Sequence, residues 1–152
     1  MKAIALLLSS LFCMPVLAKD LPPVNEMLHR LDVAGYSNAD KWEDIEGTKK
    51  QDLETGTLFV SQSSVSSMIP VSGSTDNELV AAFTLAGIHC VKTSLEAIDM
   101  AHHTSLPKSM FNSINDALRS PSHKASTLVW GYDFETEITP VKQGIIVNCT
   151  LK

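Results

Sequence analysis

The sequence predicts an α+β fold, a single domain in which an antiparallel sheet packs against one long helix and one or two shorter helices. Two periodicities support this prediction. Apolar residues recur at helical spacing between residues 76 and 102, and they alternate with period two near the end of the chain. Helices and strands that occupy separate runs of a chain are typical of the α+β class, and a chain of this length fits one domain.

The first eighteen residues have the features of a secretory signal peptide. Lys2 gives a basic start, an apolar run follows, and Ala18 is a small residue of the kind that signal peptidases accept. The run is about fifteen residues long, short of the roughly twenty needed to span a bilayer. Cys13 raises lipidation as an alternative, but the bulky Phe12 precedes it. We therefore expect cleavage after Ala18, export to the periplasm and a mature domain of residues 19–152.

The first half of the mature chain predicts one helix, one loop and two short strands. Residues 21–34 carry apolar side chains at helical spacing, which indicates a short helix. Residues 36–55 are mostly polar, and we expect a surface loop or a frayed helical turn there. Residues 57–60 and 68–71 are strand-like. Pro70 should place the second of these strands at an edge of the sheet, because proline cannot donate to a ladder.

The longest periodic segment predicts the long helix, over residues 76–102. Thr75 and Glu78 have the spacing of a capping box, in which a hydroxyl and a carboxylate each satisfy a backbone amide at the helix start. Gly87 weakens the middle of such a helix by about 1 kcal/mol relative to alanine. A strand over residues 80–88 is the alternative interpretation.

The remaining segments predict a shorter helix followed by strands. An apolar stripe over residues 106–118 indicates the helix, with Pro107 in its first turn. Over residues 128–135 large apolar residues alternate with smaller or polar ones, which indicates a single strand with one buried face. Residues 145–151 alternate in the same way, and residues 140–144 supply the turn between the two strands.

Two cysteines remain once the signal peptide is removed. Cys90 lies at the edge of the apolar stripe of the long helix, and Cys149 lies on the apolar face of the last strand. A lone pair in an oxidising compartment usually forms a disulfide. A redox pair would more often have the Cys-x-x-Cys spacing, whereas these residues are 59 positions apart. We therefore expect a disulfide between them that clamps the helix to the sheet.

Charge and hydropathy narrow the classes of partner. The net charge of −5 becomes −6 when Lys2 is removed with the signal peptide. A negative chain disfavours nucleic acid and anionic lipid, which attract basic patches, and it is compatible with a basic protein. Residues 79–91 are the nearest later candidate for a membrane span, but polar residues interrupt them. We expect no membrane insertion after signal cleavage.

The sequence carries no recognisable catalytic or cofactor signature. It lacks a Gly-x-Ser-x-Gly nucleophile motif, a phosphate-binding glycine loop and a dinucleotide fingerprint. Asp99 and His103 could form half of a zinc site. The simpler interpretation of His102 and His103 is that they complement the dipole at a helix C-terminus. We therefore expect no cofactor, no metal site and no enzymatic activity.

The candidate contact surface is an acidic cluster around a tryptophan in the polar loop. Tryptophan is enriched at binding hot spots, and carboxylates steer a basic partner. The alternative is that the indole only packs the loop onto the core and that the carboxylates form a solvated face. The predicted partner-binding residues, here called the acidic segment, are Asp40, Trp42, Glu43, Asp44 and Glu46.

Export, small size, one bridge and the missing catalytic signature give a general resemblance to periplasmic inhibitor and immunity proteins, which bind and block a toxin or a hydrolase. The resemblance is one of type and assigns no residue. It implies a small periplasmic protein-binding module. Two alternatives stay open: a structural accessory of a cell-envelope or secretion machine, and an unrecognised hydrolase or metal-binding protein.

Overall fold

The computed structural model describes residues 19–102 and 107–152, and these form one α+β domain. The predicted signal peptide (residues 1–18) and residues 103–106, which include His103, lie outside the described residues. The described helices are α1 (Val24–Val33), α2 (Asp76–Ala97) and α3 (Lys108–Arg119). The strands are β1 (Glu43–Ile45), β2 (Thr48–Leu53), β3 (Gly56–Val60), β4 (Val65–Val71), β5 (Lys124–Val129), β6 (Tyr132–Val141) and β7 (Gly144–Leu151). The predicted fold class is therefore confirmed.

The seven strands form one antiparallel sheet in the order β1-β2-β3-β4-β7-β6-β5. The last strand of the chain thus lies inside the sheet, between β4 and β6. Its Cys149 is in register with Ser67 on β4 and with Thr136 on β6. All three residues are buried, because they share the face of the sheet that the helices cover. The described residues of the opposite face, here called the open face, are half-buried or exposed.

Side-chain alternation on β7 produces this two-faced sheet. Val147, Cys149 and Leu151 are fully buried, whereas Asn148 and Thr150 between them are half-buried on the open face. The predicted period-two strand over residues 145–151 is confirmed. A sheet with one buried face is the usual result of such alternation in antiparallel structures.

Helix α1 follows its predicted pattern. Met27 and Leu31, four residues apart, are fully buried, and Val24 and Leu28 pack against the core beside them. Pro23 occupies the position before the helix, where its missing amide proton costs little.

Helix α2 confirms the predicted long helix and excludes the strand alternative. Thr75 Oγ1 accepts the amide proton of Glu78 at 3.3 Å, and Glu78 reaches back to the amide of Ser74 at 2.8 Å. The helix ends at Ala97, five residues before the predicted end. The cause is local: Asp99 adopts a left-handed φ of 61°, and the amide of Met100 returns to the carbonyl of Leu95 at 2.8 Å.

One described helix, α2, is long and apolar enough to cross a membrane by length and composition, with a mean hydropathy of 1.2 over 18 residues. This is weak evidence, because the core helix of a folded domain satisfies the same criterion. Helix α2 packs along β4 and β7.

Cys90 and Cys149 meet where α2 crosses β7. Their sulfurs are 2.20 Å apart and their Cα atoms 5.8 Å apart, which is compatible with a disulfide bond. Both side chains are completely buried. The sequence predicted that the long helix and the last strand meet at these two cysteines, and the fold places them in contact there.

The polar stretch after α1, predicted as a surface loop or a frayed helical turn, contains a short 3₁₀ turn (Ala39–Lys41), but most of it forms a β-hairpin. Strands β1 and β2 are joined by Glu46 and Gly47, whose φ values of 53° and 84° fit a two-residue hairpin turn. Gln51 on β2 is buried and exchanges two hydrogen bonds of 2.7 Å with the backbone of Asn38. Polar residues hold this hairpin, so hydrophobic periodicity could not indicate it.

A second hairpin interrupts the strand predicted over residues 128–135. Trp130 and Gly131 form the turn, with φ values of 51° and 90°. The turn places Val129 opposite Tyr132, and both are buried. Leu128 therefore points to the open face and is 61% exposed, so the prediction of one buried face through residue 128 is wrong.

Strand β4 is not the edge strand that Pro70 suggested. It lies between β3 and β7. Strand β3 pairs with β4 only as far as Met68, whereas β7 pairs along its whole length. Pro70 thus lies in the half of β4 that pairs only with β7. A residue without an amide proton is tolerated there, because β3 does not extend that far.

Candidate functional site

The acidic segment lies at one edge of the sheet. Asp40 belongs to a short 3₁₀ turn (Ala39–Lys41), Glu43 and Asp44 lie on β1, and Glu46 lies in the hairpin turn. All four carboxylates are exposed. The fold therefore brings the predicted residues together on one surface, although it does so with a strand edge instead of a loop.

Lysines of β2 compensate part of this negative charge. Lys49 Nζ lies 2.7 Å from Asp44, and the amide of Gly47 donates to the same carboxylate at 3.0 Å. The Lys49 hydrogen bond, followed by the Gly47 amide, holds the pKa of Asp44 below its ordinary value. Lys50 is in register with Glu43 but bonds Asp52 at 2.8 Å. Residues 36–55 still carry six acidic and three basic side chains.

Trp42 faces the core more than the solvent. Its indole Nε1 donates to Asp32 on α1 at 3.1 Å, and the ring packs against the hydrophobic core. The side chain is half-buried. This contact attaches the acidic segment to α1, which makes the edge a fixed surface.

A second surface, which the sequence did not indicate, lies along the first half of α2. Val80 and Leu85 are 65% and 67% exposed. Beside Leu85 an apolar groove of about 510 Å³ separates α2 from the β2–β3 turn and from the one-sided half of β4. We call it the α2 groove; its apolar walls come from Tyr36, Ile69, Pro70, Ala82, Leu85 and Ile88.

Two titratable rings meet at the α2 groove. Tyr36 and His89 contact edge to face, with ring centroids 5.7 Å apart. Burial lowers the pKa of His89 below its ordinary value of 6.5. Burial first, and the charge of Glu96 second, raise the pKa of Tyr36. Both shifts favour the neutral form of the ring, which is consistent with the apolar character of the groove.

A third concavity, of about 480 Å³, lies on the open face of the sheet. Its charged side chains are matched within the fold: Lys124 lies 3.1 Å from Glu137, and Lys152 lies 2.6 Å from Glu135. These pairs leave the concavity with little net charge to attract a charged ligand.

The candidate metal half-site lies only partly within the described residues. No group of three His, Cys, Asp or Glu side chains within residues 19–102 and 107–152 is placed to hold a metal ion. Asp99 lies 3.8 Å from Arg30, and His102 is exposed. His103 lies outside the described residues.

Comparison of the chain with known proteins found no matching family model, no similar curated protein and no similar solved structure.

Proposed function

We propose that this chain is an exported protein-binding module of the inhibitor or immunity type, and that its acidic segment binds a basic protein. The observation that carries the proposal is the placement of four exposed carboxylates on one edge of the sheet. Nearby lysines neutralise only part of this charge. A surplus of one sign at a surface steers association with a partner of the other sign.

Export is supported by the cysteines. Two completely buried sulfurs at bonding distance, with no Cys-x-x-Cys spacing, suit a compartment where structural disulfides form. Intact-mass measurement of the exported protein should give a chain that begins at Lys19. A chain that retains Cys13 would contradict export by cleavage after Ala18.

The edge is suited to binding because it is rigid before the partner arrives. Trp42 is bonded to Asp32, and Asp44 is bonded to Lys49 and to the turn. A surface ordered in advance loses less entropy on binding. Because Trp42 is part of this attachment, its truncation would weaken the fold as well as binding, so charge variants are the better test.

The test reverses the charge of two carboxylates, and a melting curve of the variant controls for the lost attraction between Glu43 and Lys50, which are in register. Glu43→Lys/Glu46→Lys changes two exposed carboxylates that form no ion pair among the described residues. Proteins retained by the wild-type domain from a periplasmic extract serve as the probe, and their association rates are measured by surface plasmon resonance. We expect slower association, with a larger deficit at low salt than at high salt.

Asp116→Lys controls for the position of the charge, and it is compared with Glu43→Lys alone because each of these variants reverses one carboxylate. Asp116 is exposed on α3, which packs on β5 and β6 at the other end of the sheet. This variant should associate at the wild-type rate. Equal association rates for the wild type and both variants would show that the acidic segment is not part of the interface. An equal decrease in the association rate of both variants would show that the effect comes from net charge alone.

A further inference from the structure

Five residues of α2 follow one another along the sequence at intervals of three, four, three and four positions. This spacing places them on one face of the helix, the pattern of a helix-pairing seam. Four of the five are exposed and Ile88 is half-buried, so this face of the helix points away from the domain core. We call it the α2 stripe; its members are Glu78, Ala81, Leu85, Ile88 and Lys92.

The stripe is apolar at its centre and oppositely charged at its ends. Between Glu78 and Lys92 the helix carries no Asp, Glu, Lys or Arg. Neither of these two residues forms a salt bridge within the part of the chain that the structure describes. A helix that is apolar on its exposed side as well as its buried side usually has a partner there.

We propose that the α2 stripe is the interface of a symmetric homodimer, in which two copies of α2 pack antiparallel about a two-fold axis at Leu85. Glu78 and Lys92 each lie seven residues from Leu85. The axis therefore places Glu78 of one copy opposite Lys92 of the second copy, and it makes this contact twice. A self-complementary patch of this kind is what a two-fold interface requires.

The neighbouring surface fits the same arrangement. Ala81 and Ala82 are small, so a second helix can approach closely, and the axis brings the two Leu85 side chains together beside the α2 groove of each copy. The macrodipoles of antiparallel helices also attract each other. This interface lies on a different surface from the acidic segment, so it goes beyond the proposed function and does not depend on it.

The size of the stripe limits the strength of the dimer. It extends about 21 Å along α2 at 1.5 Å per residue. A patch of this length with the walls of the groove falls at the small end of specific interfaces, below roughly 1,200 Å² in total. We therefore expect a reversible dimer with a dissociation constant in the micromolar range.

Sedimentation velocity over a concentration series tests the proposal. The mature, oxidised domain should change from monomer to dimer between about 1 µM and 1 mM. Leu85→Asp should abolish the dimer. The matched control is Leu128→Asp, since Leu128 is 61% exposed on the open face of the sheet against 67% for Leu85; this variant should still dimerise. A wild-type monomer at about 1 mM overturns the proposal and leaves the groove to a different partner.

Charge exchange tests the antiparallel register. Glu78→Lys and Lys92→Glu should each weaken the dimer by about tenfold or more, because each places like charges together twice. The double exchange Glu78→Lys/Lys92→Glu should restore it. Failure of the double variant to recover overturns the proposed register, as does an unchanged dimer in both single variants.

Loss of the helix cap could lower the stability of Glu78→Lys, since Glu78 accepts from the amide of Ser74. Glu78→Gln keeps an acceptor there and removes only the charge, and Lys92→Glu leaves the cap intact. Circular dichroism melting of each variant shows whether the fold persists. A Lys92→Glu variant that melts like the wild type yet dimerises normally would contradict the proposal by itself.

Discussion

The contact between Cys90 and Cys149 allows a quantitative prediction about stability. A covalent bridge between residues 59 positions apart restricts the unfolded chain, and the loop-closure entropy for that length is worth about 4 kcal/mol. Both side chains are completely buried, and free cysteine packs as a small hydrophobe. Reduction should therefore change the native packing little, and the oxidised protein should exceed the reduced one by about 2–4 kcal/mol in free energy of unfolding.

Urea unfolding of the oxidised and reduced protein measures this difference. With a slope of about 1.5 kcal/mol/M, a loss of 3 kcal/mol lowers the midpoint by about 2 M. Cys90→Ala/Cys149→Ala is the control, because its midpoint should not respond to reductant. Free thiols in the unfolded, unreduced protein would refute the bridge. A difference below about 1 kcal/mol would refute the entropic reasoning.

Three further predictions follow from individual contacts. Lowering the pH below about 6.5 should decrease the free energy of unfolding, because His89 is protonated more readily in the unfolded chain than in the folded one. The contribution of His89 to this pH dependence should vanish in His89→Gln. Thr93→Val should cost about 1–3 kcal/mol in chemical denaturation, because it removes the buried 2.9 Å hydrogen bond to Ser67, whereas adding Ser67→Ala should recover much of the loss. Glu46→Asn should raise the melting temperature by an amount equivalent to about 0.5–1 kcal/mol, since asparagine tolerates the positive φ better; a lower melting temperature would contradict this assignment of the turn.

Hydrophobic period predicted the elements that make the core. The capping residues Thr75 and Glu78 marked the start of α2, and the alternation around Cys149 marked β7 and its buried face. In these elements local propensity and burial agree. The spacing of hydrophobic residues can indicate a helix or a strand only where buried and exposed positions alternate. This condition holds for α1, α2 and β7.

Turn geometry decided two of the places where the prediction was wrong. Glu46-Gly47 and Trp130-Gly131 both adopt positive φ values, yet neither dipeptide belongs to the usual Asn-Gly or Asp-Gly signals. In β1 and β2 the hairpin is stabilised by ion pairs and by the buried amide of Gln51. Such polar contacts join residues from separate segments, so they became visible only in the fold.

The acidic segment was recognisable from the sequence because its charges are contiguous. The sequence did not show whether Trp42 faces a partner or the core, because this depends on the hydrogen bond between the indole and Asp32 on another element. The bond to Asp32 favours the packing role, and the carboxylates around the ring stay exposed. A partner at this surface would consequently contact charge and the strand edge more than the indole.

The exposed half of α2 had no signature in the sequence for a different reason. From Leu79 to Ile88 the helix has no charged side chain on any face, a composition that by itself indicates complete burial. The fold covers only one side, because β3 stops pairing with β4 at Met68 and no described strand continues past it on that side. Leu85 stays exposed as a result. The domain therefore buries one side of this helix, and the exposed side is the surface that we propose pairs with a second copy, because its charges at Glu78 and Lys92 complement each other when two copies run antiparallel.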